Sequence, residues 1–381
     1  MTTSRNAGDE RDRAFMKRAL SLAARALYDS KPNPAVGCVL VAKDEVVGEG
    51  FTAPVGGPHA ERVALAAAGD RARGATAYVT LEPCSHFGRT SPCVDALIEA
   101  GIARVVCALV DPNPLVAGTG KVKLERAGID VTVDVLHDEA AELIRGHISR
   151  MTRKRPWVRA KVAASLDGRT ALANGTSRWI TGEAARADVH HWRARSSAVL
   201  TGIGTVLADD PALTVRLKDP QVRVVEPVRV IVDSRFRTPP TAKTLKLPGG
   251  VVIFGTDTRG ERSARLAEAG AQVERVQGAP RCDLHAVLAR LAVLEHNDVL
   301  VEAGATLSGA FLAAGLIDEL IVYMAPSVLG DQARGMFSTP KLTNLGERYA
   351  LEIDDVRMVG SDLRIIARPI TVTGQSRPAE S

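Results

Sequence analysis

The chain has 381 residues, 45% hydrophobic and 24% charged, which is enough material for two domains with separate cores. That balance excludes a disordered or fibrous polypeptide, and no apolar run approaches the roughly 20 residues of a membrane-spanning helix. The net charge of +5 suits phosphorylated small molecules. Because the charge is scattered and aromatics make up only 4%, it is not a nucleic-acid footprint.

Met1–Asp12 reads as a polar tail without the apolar core of a signal peptide, and the five cysteines are odd in number and widely spaced. Both features point to a reducing cytoplasm, with thiols in metal or core roles. A helix is expected over Ala14–Tyr28, where Phe15, Ala19, Leu22, Ala23 and Ala26 recur at helical spacing. Strands follow at Val36–Ala42 and Val46–Phe51.

Gly57-Pro58-His59-Ala60-Glu61 then opens a helix. After a strand at Thr76–Leu81 comes Pro83-Cys84 and then Ser91-Pro92-Cys93, with eight residues between the two cysteines, Ser91 as N-cap and Pro92 at the first helical position. One imidazole and two thiolates give zinc three protein ligands and leave the fourth tetrahedral position open, as in a catalytic site. Glu61, two residues beyond the histidine, is free to carry protons to and from water there. The pattern points to hydrolytic deamination of a nucleobase-like ring. Its unusual element is the long loop between the cysteines, where deaminases commonly have two residues. The loop's polar members His86, Arg89, Thr90 and Ser91 suit substrate reading. A closed structural zinc site would need a fourth ligand, for which His86 is the nearby candidate.

A strand at Val105–Val110, a helix near Lys121–Ala127 and a strand at Asp130–Val135 complete the first domain, 13–148. Strands alternating with helices imply an α/β class. Basic residues over 149–156 read as a linker to a second domain, 157–370, followed by a tail, 371–381. Within the second domain, strands are expected at Trp157–Ala163, Ala198–Gly202, Val228–Val232, Val251–Gly255, Gln272–Val276, Asp298–Glu302 and Glu319–Met324. Helices are expected at Glu183–Arg195, Glu261–Ala269, Leu284–Leu294 and Leu307–Ala314.

Gly202-Ile203-Gly204-Thr205 and the Glu302–Gly309 turn would let backbone approach a dinucleotide phosphate, although the third glycine of the Rossmann fingerprint is missing. Asp233-Ser234-Arg235-Phe236-Arg237, closing a strand, offers the hydroxyl and guanidinium groups that favour NADP over NAD. Arg193 and Arg216 are candidates to grip a substrate phosphate.

Taken together, the chain resembles the bifunctional deaminase–reductase family of riboflavin biosynthesis over roughly Ala14–Ala367. The resemblance is carried by Pro32-Asn33-Pro34-Ala35-Val36-Gly37-Cys38, His59-Ala60-Glu61, Glu82 through Cys93 and Asp111-Pro112-Asn113-Pro114. In the second half it is carried by Lys161 through Arg169, Ser177-Arg178-Trp179-Ile180-Thr181, Thr205 through Arg216, and Glu302 through Gly309. It implies a three-layer α/β/α cytidine-deaminase-like domain followed by a dihydrofolate-reductase-like α/β domain.

It also implies a Zn2+ ion on His59, Cys84 and Cys93, with Glu61 catalytic, and Asn33 and His86 as substrate contacts. NADPH would touch Ala163, Trp179, Thr205, Asp209, Ser234 and the turn Gly304, Ala305, Thr306, Leu307, Ser308 and Gly309. Ser177, Arg193, Leu213, Arg216 and Glu302 would contact the phosphorylated pyrimidine substrate, with Lys161 polarising its sugar. The enzyme is expected to be a cytoplasmic homo-oligomer (dimer or tetramer), without nucleic-acid or membrane partners. The competing reading is a nucleic-acid or tRNA base deaminase carrying an accessory domain. Lys31 departs from a position where the family often has histidine.

Overall fold

The computed structural model describes residues 2–86, 91–114, 116–219, 221–257, 259–278 and 280–370, with side chains from residue 9 onward. The chain divides into two units, 1–155 with 223–225, and 156–222 with 226–381.

The first unit comprises α1 (Thr2–Arg25), β1 (Gly37–Ala42), β2 (Glu45–Phe51), α2 (Ala60–Ala68), β3 (Thr76–Val79), α3 (Cys93–Glu99), β4 (Arg104–Cys107), α4 (Thr119–Arg126), β5 (Asp130–Thr132), α5 (His137–Leu143) and α6 (Arg145–Arg153). Its sheet runs β2-β1-β3-β4-β5, antiparallel through the first three strands and parallel through the last three. The layers follow from small residues. A Cβ on Gly37 would lie 1.9 Å from the Ala19 carbonyl oxygen of α1, and one on Gly50 would lie 2.3 Å from that of Ala60 in α2. Gly50 pairs with Cys38, the neighbour of Gly37, and cross-strand partners share a face. Successive residues of a strand point to opposite faces, so α1 and α2 cover opposite sides of the sheet.

Two boundaries differ from expectation. The supposed tail is helical from Thr2, and Asp12 is buried, accepting hydrogen bonds from Tyr78 Oη (2.9 Å) and from Arg104 Nη1 (2.9 Å) and Nη2 (2.7 Å). A paired carboxylate amid polar sequence gave no periodic signal. The basic run expected as a linker is largely α6, whose Ser149 is buried and donates to Arg155 O; the division falls after Arg155. In the same unit, Lys31 Nζ donates to the Val225 carbonyl at 3.0 Å.

The second unit holds β6 (Trp157–Ser165), β7 (Arg169–Ala171), α7 (Glu183–Arg195), β8 (Ala198–Gly202), α8 (Ile203–Asp209), β9 (Val228–Val232), α9 (Lys243–Lys246), β10 (Val251–Gly255), α10 (Glu261–Glu268), β11 (Gln272–Arg275), α11 (Leu284–Val293), β12 (Asp298–Val301), α12 (Ala305–Ala313), β13 (Glu319–Ala325), β14 (Arg334–Gly335), β15 (Leu351–Val359) and β16 (Asp362–Pro369). Nine strands form one sheet in the order β11-β10-β9-β8-β12-β6-β13-β16-β15. Strands β11 through β13 are parallel, and β16 and β15 return antiparallel. The inner parallel strands are apolar runs buried on both faces, such as Val230-Ile231 and Val299-Leu300-Val301. Their C-terminal ends therefore share one edge, where ligands of open α/β sheets collect. The final hairpin and α8 were not expected from sequence. The C-terminal tail, 371–381, lies outside the described residues.

Candidate active sites in two units

The helix α2 reaches the first site because nothing bulky separates it from β2. Ala60, Ala64 and Ala68 line one face, and opposite them Gly48 and Gly50 remove the side chains that would hold the helix away. His59 occupies the N-cap position with extended backbone, and the buried Glu61 sits in the first turn. Across from it, Pro92 takes the N-cap position of α3 and Cys93 is its first helical residue, one step later than the sequence pattern implied. Arg62 ties the returning loop down: its Nη2 donates to Ser91 O (3.3 Å), Ser91 Oγ (2.5 Å) and Pro92 O (3.4 Å). The other end is braced by Glu82, a buried carboxylate that accepts the backbone N–H groups of Asp111, Gly118 and Lys121. The bracing roles of Arg62 and Glu82 were not foreseen, since they act mainly on backbone groups.

The result is that the His59, Cys84 and Cys93 ligand atoms all lie within 4.8 Å of one another. His59 Nδ1 stands 3.6 Å from Cys84 Sγ and 3.3 Å from Cys93 Sγ. Tetrahedral zinc, with bonds of about 2.0–2.1 Å to nitrogen and about 2.3 Å to sulfur, sets such atoms about 3.6 Å apart, so the donor set fits the ion. Electrostatics agree. The Cys84 thiol is pulled down to about 4 by hydrogen bonds from Cys93 and His59, while Cys93 is pushed far up by Cys84 and burial. The pair thus holds one negative charge by itself and calls for a cation to hold two. Glu61 is raised, first by burial and then by the Cys84 charge, which inclines it to keep a proton. Asn33 lies in the half-buried turn between α1 and β1, and His86 is exposed. Arg89 and Thr90 lie outside the described residues.

The second constellation lies at the C-terminal edge of the large sheet. Glu302 follows β12, between β8 and β6. Arg193 of α7 grips its carboxylate bidentately, Nε to Oε1 at 2.5 Å and Nη2 to Oε2 at 3.0 Å, and Nη1 donates to the Thr214 carbonyl at 2.9 Å. All three nitrogens of that guanidinium are thereby engaged, so its fork holds Glu302, where a phosphate had been expected from sequence. Lys161 Nζ approaches the same carboxylate at 4.0 Å. Burial opposes ionisation of Glu302, but the Arg193 charge and hydrogen bonds, with Lys161, hold it down at about 2. Lys161 is lowered by burial against the pull of Glu302. His190, one turn before Arg193, accepts the Arg216 backbone N–H on Nδ1 at 3.1 Å and was not foreseen.

Along the same edge, Gly304 caps α12, and a Cβ there would meet only Thr205 Oγ1, at 4.0 Å. An exposed helix N-terminus with this open cradle fits a pyrophosphate. Thr306 is exposed, whereas Ser308 and Gly309 are buried: Ser308 Oγ donates to Ala303 O, and Gly309 admits the Ser338 backbone. Those two positions serve packing. Ser234, after β9, accepts the Cys282 N–H at 2.9 Å. Trp179 is 70% exposed, with the Arg186 guanidinium 4.6 Å from its ring centre. Asp209 ends α8, and its carbonyl accepts Arg178 Nη2 at 2.6 Å. Ala163 lies on β6, Ser177 is half-buried, and Leu213 is buried with φ of +54°. Among the described residues, no helix is long and apolar enough to cross a membrane.

Comparison with known proteins gives the same division. Residues 9–109 match the model of the cytidine and deoxycytidylate deaminase zinc-binding region, and 156–365 match the RibD C-terminal domain. The riboflavin biosynthesis protein RibD of Haemophilus influenzae is 46% identical over 367 residues, covering 94% of this chain and 97% of that protein. Its counterpart from Escherichia coli is 46% identical over 361 residues, covering 92% and 98%. Among solved structures, Acinetobacter baumannii RibD superimposes with a TM-score of 0.89 at 47% identity, covering 95% of this chain and 100% of that one. A Thermotoga maritima protein described as a diaminohydroxyphosphoribosylaminopyrimidine deaminase/5-amino-6-(5-phosphoribosylamino)uracil reductase gives 0.85 at 35% identity, with coverage of 95% and 100%. Matched over more than nine-tenths of its length by such relatives, and with a family model on each of its units, the chain belongs to the RibD family of bifunctional deaminase–reductases in riboflavin biosynthesis.

Proposed function

We propose that the first unit deaminates 2,5-diamino-6-(5-phosphoribosylamino)pyrimidin-4-one by hydrolysis, and that the second reduces the ribosyl group of the product to ribityl with NADPH. The convergence of one imidazole nitrogen and two cysteine sulfurs beside a buried carboxylate carries the reading. His59, Cys84 and Cys93 would hold Zn2+, which when bound acts as a Lewis acid and brings the ionisation of water close to neutral pH. Glu61, disposed by burial to hold a proton, accepts one from the attacking water and delivers it to the departing amine. Asn33 and His86 are assigned to the pyrimidine.

In the second unit NADPH supplies the hydride. The α12 N-terminus with Gly304 and Thr205 receives the pyrophosphate, Ser234 the ribose phosphate, and Ala163, Trp179 and Asp209 the remainder of the cofactor. Arg193 fixes Glu302 as an anion, and Glu302 orients Lys161 towards the sugar. With the Arg193 fork engaged, the substrate phosphate falls to Arg216, beside Ser177 and Leu213.

The direct test couples ammonia release to NADPH oxidation on the phosphoribosylaminopyrimidine. Glu61→Gln should retain zinc and lower deamination by about 10²–10⁴-fold while the reductase still turns over the deaminated intermediate. Activity confined to oligonucleotides would sink the assignment.

The enzyme is read as a cytoplasmic homo-oligomer. The self-association is argued from the edge strand β15, where Ile353 (61%), Val356 (52%) and Met358 (62%) are exposed. An apolar open edge is a liability unless it is covered. Light scattering should give a multiple of the chain mass, and Ile353→Lys with Met358→Lys should reduce it to one.

A further inference from the structure

We propose that His190 is a positioning residue for the reductase, whose neutral imidazole fixes the main chain at Arg216 and so aims that guanidinium at the substrate phosphate. The inference rests on the reading of Arg216 as the phosphate contact.

The segment 213–216 belongs to no helix or strand, so its backbone groups must find partners elsewhere. They find side chains, one after another. The Thr214 carbonyl accepts Arg193 Nη1 at 2.9 Å, the Val215 N–H donates to Glu226 Oε1 at 2.8 Å, and the Arg216 N–H donates to His190 Nδ1 at 3.1 Å. Leu213, buried with φ of +54°, starts the segment in a conformation that a residue with a side chain seldom adopts. The path of the chain into Arg216 is therefore set by specific polar contacts.

The platform carrying His190 is itself anchored. On α7, Val189 and Trp192 are buried; Trp192 Nε1 donates to Tyr323 Oη at 3.0 Å, Tyr323 Oη to Asp188 at 2.5 Å, and Arg364 Nη1 to Asp188 at 2.8 Å. His190 and Arg193 are three apart on this helix and reach the same segment two residues apart. Arg193 is shared between Glu302 and Thr214, whereas both backbone contacts of His190, with the Arg216 N–H and with Thr214, fall on this segment. For Nδ1 to accept, the ring must be neutral with its proton on Nε2. The Arg216 side chain is exposed, so its direction depends on the backbone that launches it.

The test is steady-state reductase kinetics of the full-length enzyme with the deaminated phosphorylated substrate. His190→Ala should raise KM for that substrate about three- to tenfold, the worth of one hydrogen bond, with kcat retained. KM for NADPH and ammonia release by the other unit should stay at wild-type values. His190→Asn, whose side-chain oxygen can stand near the Nδ1 position, should restore KM; His190→Gln, one methylene longer, should not. With Arg216→Ala present, His190→Ala should add nothing further.

If His190→Ala matches wild type while Arg216→Ala raises KM, the positioning role is overturned and the phosphate reading survives. If Arg216→Ala is itself silent, both fall. Should Asn and Gln behave alike, or should kcat and the KM for NADPH move together with the substrate KM, His190 is a general support of the fold and the proposal is wrong. The Asn–Gln comparison decides even where His190→Ala fails to fold.

Discussion

Single side chains in this protein do chemistry by being paired against their usual preferences. Contact between Cys84 and Cys93 holds the first thiol low and pushes the second up, so zinc binding at the first site should be coupled to the loss of a thiol proton. Cys93→Ser should reduce bound zinc, measured by atomic absorption, to well below one equivalent; full occupancy would remove Cys93 from the ligand set. In the second unit the signs can be worked through directly. His190 is lowered to about 4 by burial and by Arg193 and Arg216, from an unfolded value of about 6.5. Its contribution to stability is complete above pH 6.5 and is lost as pH falls towards 4, because the unfolded chain takes the proton first. Glu302, held at about 2, loses its contribution over a lower window, from about 4.5 downward. Acidification from pH 7 to 4.5 should therefore lower the melting temperature of the second unit in wild type, and less so in His190→Asn. Equal slopes in the two proteins would remove His190 from the pH dependence. The cluster of His59, Cys84 and Cys93 was legible in the sequence because each side chain carries its own chemistry. His190 was not, since accepting a backbone N–H 26 residues away leaves no motif.

Elements, in turn, are placed by how closely backbones approach. The position of α2 depends on Gly48 and Gly50, whose Cβ atoms would lie 2.2 Å and 2.3 Å from the carbonyl oxygens of Ala64 and Ala60. Gly50→Val cannot be accommodated without moving the helix that begins beside His59, because backbone cannot yield as a flexible side chain does. Overpacking of this kind costs about 1–3 kcal/mol, occasionally more, and here it should also displace two site residues. The expected outcome is a protein with a lowered melting temperature that binds zinc poorly; wild-type zinc content would show that β2 does not set the site. Apolar strands and amphipathic helices were recovered from periodicity to within a few residues, as β8 and β9 illustrate. The hairpin of β15 and β16 escaped because Leu351–Val359 is largely exposed and mixes charge with apolar residues on both faces, so no alternation marks it. Asp12 escaped for the opposite reason: it is a charged residue that is buried, with Arg104 and Tyr78 as partners.

At the scale of the whole molecule, two units with separate cores carry chemistries that depend on different bound groups. A ligand that binds only the folded form raises the stability of the unit that holds it, by RT ln(1 + [L]/Kd), and leaves an independent unit untouched. On the proposed reading, His59, Cys84 and Cys93 would hold zinc in the first unit, and Gly304, Thr205 and Ser234 would meet NADPH in the second. Calorimetry of the full chain should accordingly resolve two transitions. A chelator should lower one of them by several degrees and abolish ammonia release, while NADPH oxidation on the deaminated intermediate persists. Added NADPH should raise the other transition alone, by about 2.7 kcal/mol of stability at a hundredfold excess over its Kd. If the chelator instead lowered both transitions together, or stopped hydride transfer at the same metal occupancy, the two halves would have to be treated as one cooperative body. The assignment of one cofactor to each unit would then need a different physical basis from the separate cores.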